Sequence, residues 1–131
     1  MLKDFQRFGR DLFLAGLNSS HSGNLSVRCG DRIVITRKGS MLGHLEEQDL
    51  IETGLEKNDG KITLASTEIG VHRSIYRGTS ALSIVHAHPI HAIALSLLED
   101  QISPVDAEGA HFLNKIPVLA AINPIGSKEL E

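Results

Sequence analysis

Ala81–His91 reads ALSIVHAHPIH, a run of small, β-branched and aliphatic residues that closes on three histidines with a proline among them. The run predicts a mostly buried β-strand over Ser83–His88. Pro89 suits the first turn of a following helix that carries Ile90, Ile93, Ala94, Leu97 and Leu98. Side chains alternate along a strand, so His86 and His88 share a face with Cα atoms about 6.5–7 Å apart. Two imidazoles at that spacing can converge on one ion through Zn–N bonds of about 2.0–2.1 Å. They also stand at the C-terminal end of their strand, where α/β sheets place ligands. The competing reading is a pair of half-exposed histidines satisfied by backbone and water, and H-x-H is too short a pattern to decide between the two. His91, three residues beyond His88 and inside the helix, turns away to a capping or surface role.

Working outward, Leu2, Phe5, Phe8, Leu12, Phe13 and Leu17 fall at helical spacing and predict an opening helix that ends near Gly16. LSVR and RIVIT flank the turn residues Cys29-Gly30-Asp31 and predict a hairpin. DLIETGLE and KITLAS flank Asn58-Asp59-Gly60 and predict a second one. TEIGVHRSIYRG places Ile69, His72, Ile75 and Tyr76 on one helical face, with Gly78 as the stop. On that apolar face His72 reads as a satisfied core histidine. His21, His44 and His111 fall in predicted loops. IPVLAAI predicts a further strand, and SKELE the start of a helix. Strands with interspersed helices give an α/β domain with helices on the faces of a central sheet.

The chain of 131 residues has the length of one domain, large enough to bury a real core. Its net charge of −3 excludes the basic face of a general nucleic-acid binder. A single cysteine, Cys29, excludes an intrachain disulfide and fits a reducing compartment. No apolar run reaches the roughly 20 residues of a membrane span, and Arg10 and Asp11 interrupt the N-terminus where a signal peptide needs continuity. These observations predict a cytoplasmic protein without membrane or nucleic-acid partners.

Three short polar stretches carry further chemistry. Ser66-Thr67-Glu68 stands at a predicted helix start, where hydroxyls and a carboxylate serve as caps or, with backbone N–H groups, as an anion site. Ser22-Gly23-Asn24 precedes a strand and is small enough for backbone to approach a phosphate. Thr36-Arg37-Lys38-Gly39 is similar, with a charge added by Lys38. None has the G-x-x-x-x-G-K-[ST] form of a P-loop.

In order, SGNLSVR, IVIT-x-x-G, STE-x-x-x-H-x-x-IY and VHAHP resemble the class II aldolase/adducin family, nearest to its bacterial sugar-phosphate aldolases of the L-fuculose-1-phosphate kind. The resemblance runs from the first helix to Glu131. It implies a three-layer α/β/α sandwich around a mixed or antiparallel sheet, usually assembled as a homotetramer. It further implies that His86 and His88 are two of three histidine ligands of Zn²⁺ or another divalent metal. Glu68 matches the acid/base carboxylate, and Asn24, Gly39, Ser66 and Thr67 match positions that hold the substrate phosphate. Lys38 stands where the family commonly has a hydroxyl residue, and as a lysine can still pair with phosphate. The implied activity is a zinc-dependent aldolase-like lyase acting on a small phosphorylated sugar through the enediolate of dihydroxyacetone phosphate. The alternative is a non-catalytic, adducin-like module for ligand binding or assembly that kept part of the site. Residues 1–131 then form a single domain that lacks the family's C-terminal portion, which carries the third histidine. His111, Glu68 and a neighbouring subunit are the candidates to replace that ligand, with His111 the best placed within the chain.

Overall fold

The structure, a computed structural model, describes residues 1–120 and Lys128. Asn24–Cys29 (β1) and Arg32–Thr36 (β2) form the predicted hairpin, with Gly30 at φ 62° supplying the left-handed residue of the turn. Leu50–Gly54 (β3) pairs with the outer edge of β2, and Ser83–His86 (β4) with the outer edge of β1. The result is an antiparallel four-stranded sheet in the order β3-β2-β1-β4.

The period-two alternation gives that sheet two apolar faces. Ile33, Ile35 and Ile51 point one way and meet Tyr76 on the helix Ile69–Gly78 (α2), together with Leu55 and Ala65. Leu25 and Val34 point the other way and meet Phe5 on the opening helix Leu2–Leu14 (α1), with Leu42 and Leu45 below them. Each fully buried side chain of this size contributes about 1.5–3 kcal/mol. Helix α1 ends where expected, with Gly16 at φ 68° leading the chain out. Gly9 lets α1 lie directly on the Leu42 backbone, since a Cβ there would collide with the Leu42 carbonyl. This is an α/β arrangement with a helix on each face of the sheet.

Four expectations need correction. The second hairpin does not form: after β3 the segment KITLAS turns through a 3₁₀ helix at Ile62–Leu64. The Gly54 carbonyl is bound by Arg73 through Nε at 3.1 Å and Nη2 at 2.6 Å, while Asp59 accepts from Thr53 Oγ1 and the Lys61 N–H. The chain therefore wraps a buried guanidinium instead of turning back along the sheet. Strand β4 is shorter and less buried than predicted. It stops at His86, two residues before His88, and lies at the sheet edge, with Val85 56% exposed. His44 and His111 are not in loops. The first closes the 3₁₀ helix Leu42–His44, and the second lies on a short helix, Ala107–Phe112 (α4), capped by Asp106 accepting from the Gly109 N–H. Among the described residues of IPVLAAI only Ile116–Pro117 (β6) is strand, paired with Gln101–Ile102 (β5); Ala121 and Ile122 lie outside them. The predicted SKELE helix also lies outside them, apart from Lys128 in a turn.

Pro89 stands immediately before the predicted helix, here Ile90–Ser96 (α3), at φ −63°. From β4 onward many apolar side chains face outward, among them Val85, Ile90, Leu97, Leu98 and Phe112. No described helix is long and apolar enough to cross a membrane.

A polar group also sits inside the α2 side of the core. Ser26 Oγ, on β1, is hydrogen-bonded to His72 Nδ1 at 2.6 Å and to the Tyr76 hydroxyl at 2.7 Å, and all three side chains are at most 2% exposed. Ser26→Ala removes one hydrogen bond from each of two buried polar groups at once. It is expected to lower unfolding stability by about 2–3 kcal/mol, read as a shifted midpoint in chemical denaturation.

Candidate active site

The end of the sheet at which β1 begins and β2 and β4 finish gathers four loops into one cavity of about 310 Å³. Each loop is placed by a bond at a strand end. The turn after β2 folds back on itself, with the Ser40 N–H donating to the Arg37 carbonyl at 3.1 Å and Gly39 at φ 75°. It is tied to the segment leading into α2: Lys38 N–H donates to the Leu64 carbonyl at 3.0 Å and Ser66 N–H to the Thr36 carbonyl at 3.1 Å. Ser66 Oγ in turn accepts from the Glu68 N–H at 3.3 Å, which sets Glu68 at the threshold of α2.

On the opposite wall, β1 and β4 pair in a register that puts Asn24 beside His86. The Asn24 carboxamide lies 2.9 Å from His86 Nδ1 and is only 5% exposed. His88 stands beyond the strand, yet its ring comes within 4.8 Å of the His86 ring, centroid to centroid, with 31° between the planes. The convergence expected from a continuous strand is thus achieved by the loop after it. Burial pushes His86 below the ordinary imidazole value, repulsion from His88 adds to this, and the Glu68 carboxylate opposes it. The neutral form of His86 is the one that ligates metals.

The cavity therefore lines up Asn24, Lys38 and Gly39, the hydroxyl pair Ser66 and Thr67, and Glu68 with His86 and His88. His111, on α4, is not among the lining residues. The donor chemistry suits a divalent metal as two imidazoles, with Glu68 in the same cavity. Among the described residues no group of three or more histidine, cysteine or acidic side chains is close enough to hold one. The Asn24 amide gives a second observation. As placed, its Nδ2 faces His86 and its Oδ1 is buried without a partner. Exchanging the two amide atoms makes Oδ1 the acceptor for a proton on His86 Nδ1. That tautomer leaves His86 Nε2 as the lone-pair donor and the amide NH₂ as the unpartnered group.

The sequence marked His21 only as a loop histidine and Arg37 only as part of the Thr36–Gly39 stretch, and it gave no sign of Ser40, which also lines the cavity with them, or of Asn18 behind it. Nothing in the spacing of an isolated loop histidine or serine signals such a position.

The chain as a whole has known relatives. The Class II Aldolase and Adducin N-terminal domain matches residues 3–131, so the chain belongs to the class II aldolase and adducin family. Among its relatives is the L-fuculose phosphate aldolase of Methanocaldococcus jannaschii, 36% identical over 117 residues, covering 87% of this chain and 63% of that protein. Another is the methylthioribulose-1-phosphate dehydratase of Acidiphilium cryptum, 34% identical, covering 90% of this chain and 57% of that one. The crystal structure of L-fuculose-1-phosphate aldolase from Thermus thermophilus superposes with a TM-score of 0.92 at 41% identity, covering 98% of this chain and 65% of that one. The chain thus spans less than two thirds of the length of these relatives.

His72 lies one helical turn beyond Glu68, behind the cavity. Burial, and secondarily repulsion from His86, push it from the ordinary 6.5 down to about 4. The folded chain holds it neutral, whereas the unfolded chain protonates it below about pH 6.5. Its contribution is complete above that pH and is lost as the pH falls toward about 4, a decline on the order of 3 kcal/mol. Denaturation midpoints measured across that window should show the decline, and His72→Asn should flatten it.

Proposed function

We propose that the protein is a metal-dependent aldolase-like lyase that cleaves or forms a C–C bond in a small phosphorylated sugar. One observation carries this reading: amide, hydroxyl and lysine groups suited to an anion and a pair of imidazoles, drawn from four separate segments, line the same cavity with a carboxylate between them in the chain order. Family membership and the aldolase relatives support it.

In this reading the substrate phosphate is anchored by Ser66, Thr67, the Gly39 backbone and the Asn24 amide, with Lys38 at the rim. Holding the unreactive end of the substrate converts binding energy into orientation at the reacting carbons. His86 and His88 would hold Zn²⁺ or another divalent ion, which when bound supplies Lewis-acid stabilisation of the negative charge that develops beside the carbonyl. A catalytic zinc takes three protein ligands, so a further one is needed beyond this pair. Glu68, half-buried beside the pair, takes the carbon-bound proton from dihydroxyacetone phosphate in the condensation direction and returns it in cleavage. The apolar side chains exposed after β4 support a further proposal, that the folded protein completes a three-layer sandwich and assembles as a homo-oligomer.

Metal content per chain, by element, and release of dihydroxyacetone phosphate from ketose 1-phosphates are the measurements that test this. Near-stoichiometric metal is expected, lost in His86→Ala and His88→Ala. Glu68→Gln should retain the metal and lower turnover about 10²- to 10⁴-fold. Sugar-phosphate binding without turnover in the unmodified chain would replace the lyase by a non-catalytic ligand-binding module. Absence of both metal and sugar-phosphate binding would overturn both readings.

A further inference from the structure

We infer that Asn18 is the positioning residue for His88, and through it for the imidazole pair; the inference rests on the metal-site reading above. Asn18 lies in the loop after α1 and is 6% exposed, although Ser19 and Ser20 beside it are exposed. Its Oδ1 accepts from the His88 N–H at 3.1 Å, and the Leu17 carbonyl shares that donor at 2.8 Å. His88 stands two residues past the end of β4, where the ladder no longer holds the backbone. The two neighbouring histidines are therefore held by different means. His86 has the β1–β4 register and the Asn24 amide, while the loop after α1 supplies the backbone bonds of His88.

The orientation of the Asn18 amide follows from chemistry. The His88 N–H is a donor, so the amide oxygen must face it and the NH₂ must face away. That NH₂ is buried and has no partner. It packs against Gly23, at φ 76°, where a Cβ would collide both with Asn18 Nδ2 and with the His86 carbonyl. Asn18, Gly23 and the His86 backbone thus form one packed layer directly behind the cavity. An unsatisfied buried donor is unfavourable, because the group gives up its water and gains no partner in exchange. Retaining a carboxamide there is accounted for by the task of its oxygen, which is to hold the backbone that carries His88.

The test uses the full chain with Co²⁺ as the probe, read by titration and by its visible d–d absorption, together with hydrogen exchange at the His88 amide in the metal-free protein. Asn18→Ala is expected to weaken Co²⁺ binding about 10- to 100-fold, change the d–d band and speed exchange at His88. Asn18→Asp keeps an acceptor oxygen and should recover most of the affinity. Thr53→Val removes a buried hydroxyl on β3, bonded to Asp59 at 3.1 Å, and serves as the destabilised control. It should lower the thermal midpoint yet leave affinity and band unchanged. Wild-type affinity and band in Asn18→Ala, or an equal loss in Thr53→Val, would overturn the inference. Should Asn18→Ala not fold, Asn18→Ser, with its shorter reach, is read on the same measurements. If the unmodified chain takes up no cobalt, the metal reading fails on its own account. Exchange at His88 then decides: faster in the Asn18 variants upholds the positioning role, and unchanged overturns it.

Discussion

Everything at the candidate site hangs on the antiparallel register of β1 with β4, in which Asn24 faces His86 across 62 positions of sequence. A slip of one residue would send every side chain of β4 to the opposite face. His86 would leave the cavity, and Ile84, on the same face, would leave the core for the face that Ser83 and Val85 now occupy. The register is set on the core side by Ile84, which packs into the cluster around Ile33, Ile35 and Tyr76. It is set at the strand end by the amide–imidazole contact. Packing and site geometry therefore enforce each other.

The α2 side of the sheet carries both a core cluster and the polar chain His72–Ser26–Tyr76. A wholly apolar interface would tolerate small rotations of α2 about its axis, whereas these directional bonds do not. Their effect reaches the cavity through helix geometry, since Glu68 precedes His72 by one turn and its carbonyl accepts the His72 N–H at 3.0 Å. Arg73, next along the helix, is buried against the Gly54 carbonyl and binds Asn58 Oδ1 at 2.7 Å. The loop after β3 and the start of α2 are thus fixed to one another, and the carboxylate inherits its place from buried bonds on both sides.

In the proposed function, metal and anion chemistry meet at Asn24. Its amide touches a histidine of the imidazole pair, while it lines the cavity that the Ser66–Thr67 hydroxyls and the turn at Gly39 also enter. Relatives that share this domain carry different names for their reactions, aldolase in one case and dehydratase in another. The proposed use of the cavity, phosphate held beside a pair of imidazoles, is compatible with that diversity, because one scaffold can host different reactions.

By itself the sequence determined the elements whose signal is local: the amphipathic helices α1 and α2, the β1–β2 hairpin at its Gly-Asp turn, the helix after Pro89, and the family, from motifs in a fixed order. It also brought Glu68, His86, His88, Asn24, Gly39, Ser66 and Thr67 forward by chemistry and resemblance. It misjudged the segment after β3 because Asn58-Asp59-Gly60 carries a hairpin signal, and only a side chain 15 residues on, Arg73, diverts that backbone. It also overextended β4, because apolar composition does not distinguish an edge strand from a central one. The convergence of His88 with His86 beyond the strand end, the burial of Asn18 behind them, and the entry of His21 and Arg37 into the cavity were decided by the tertiary structure alone. Those placements depend on contacts between residues distant in the chain, and such contacts leave no periodicity for a local pattern to show.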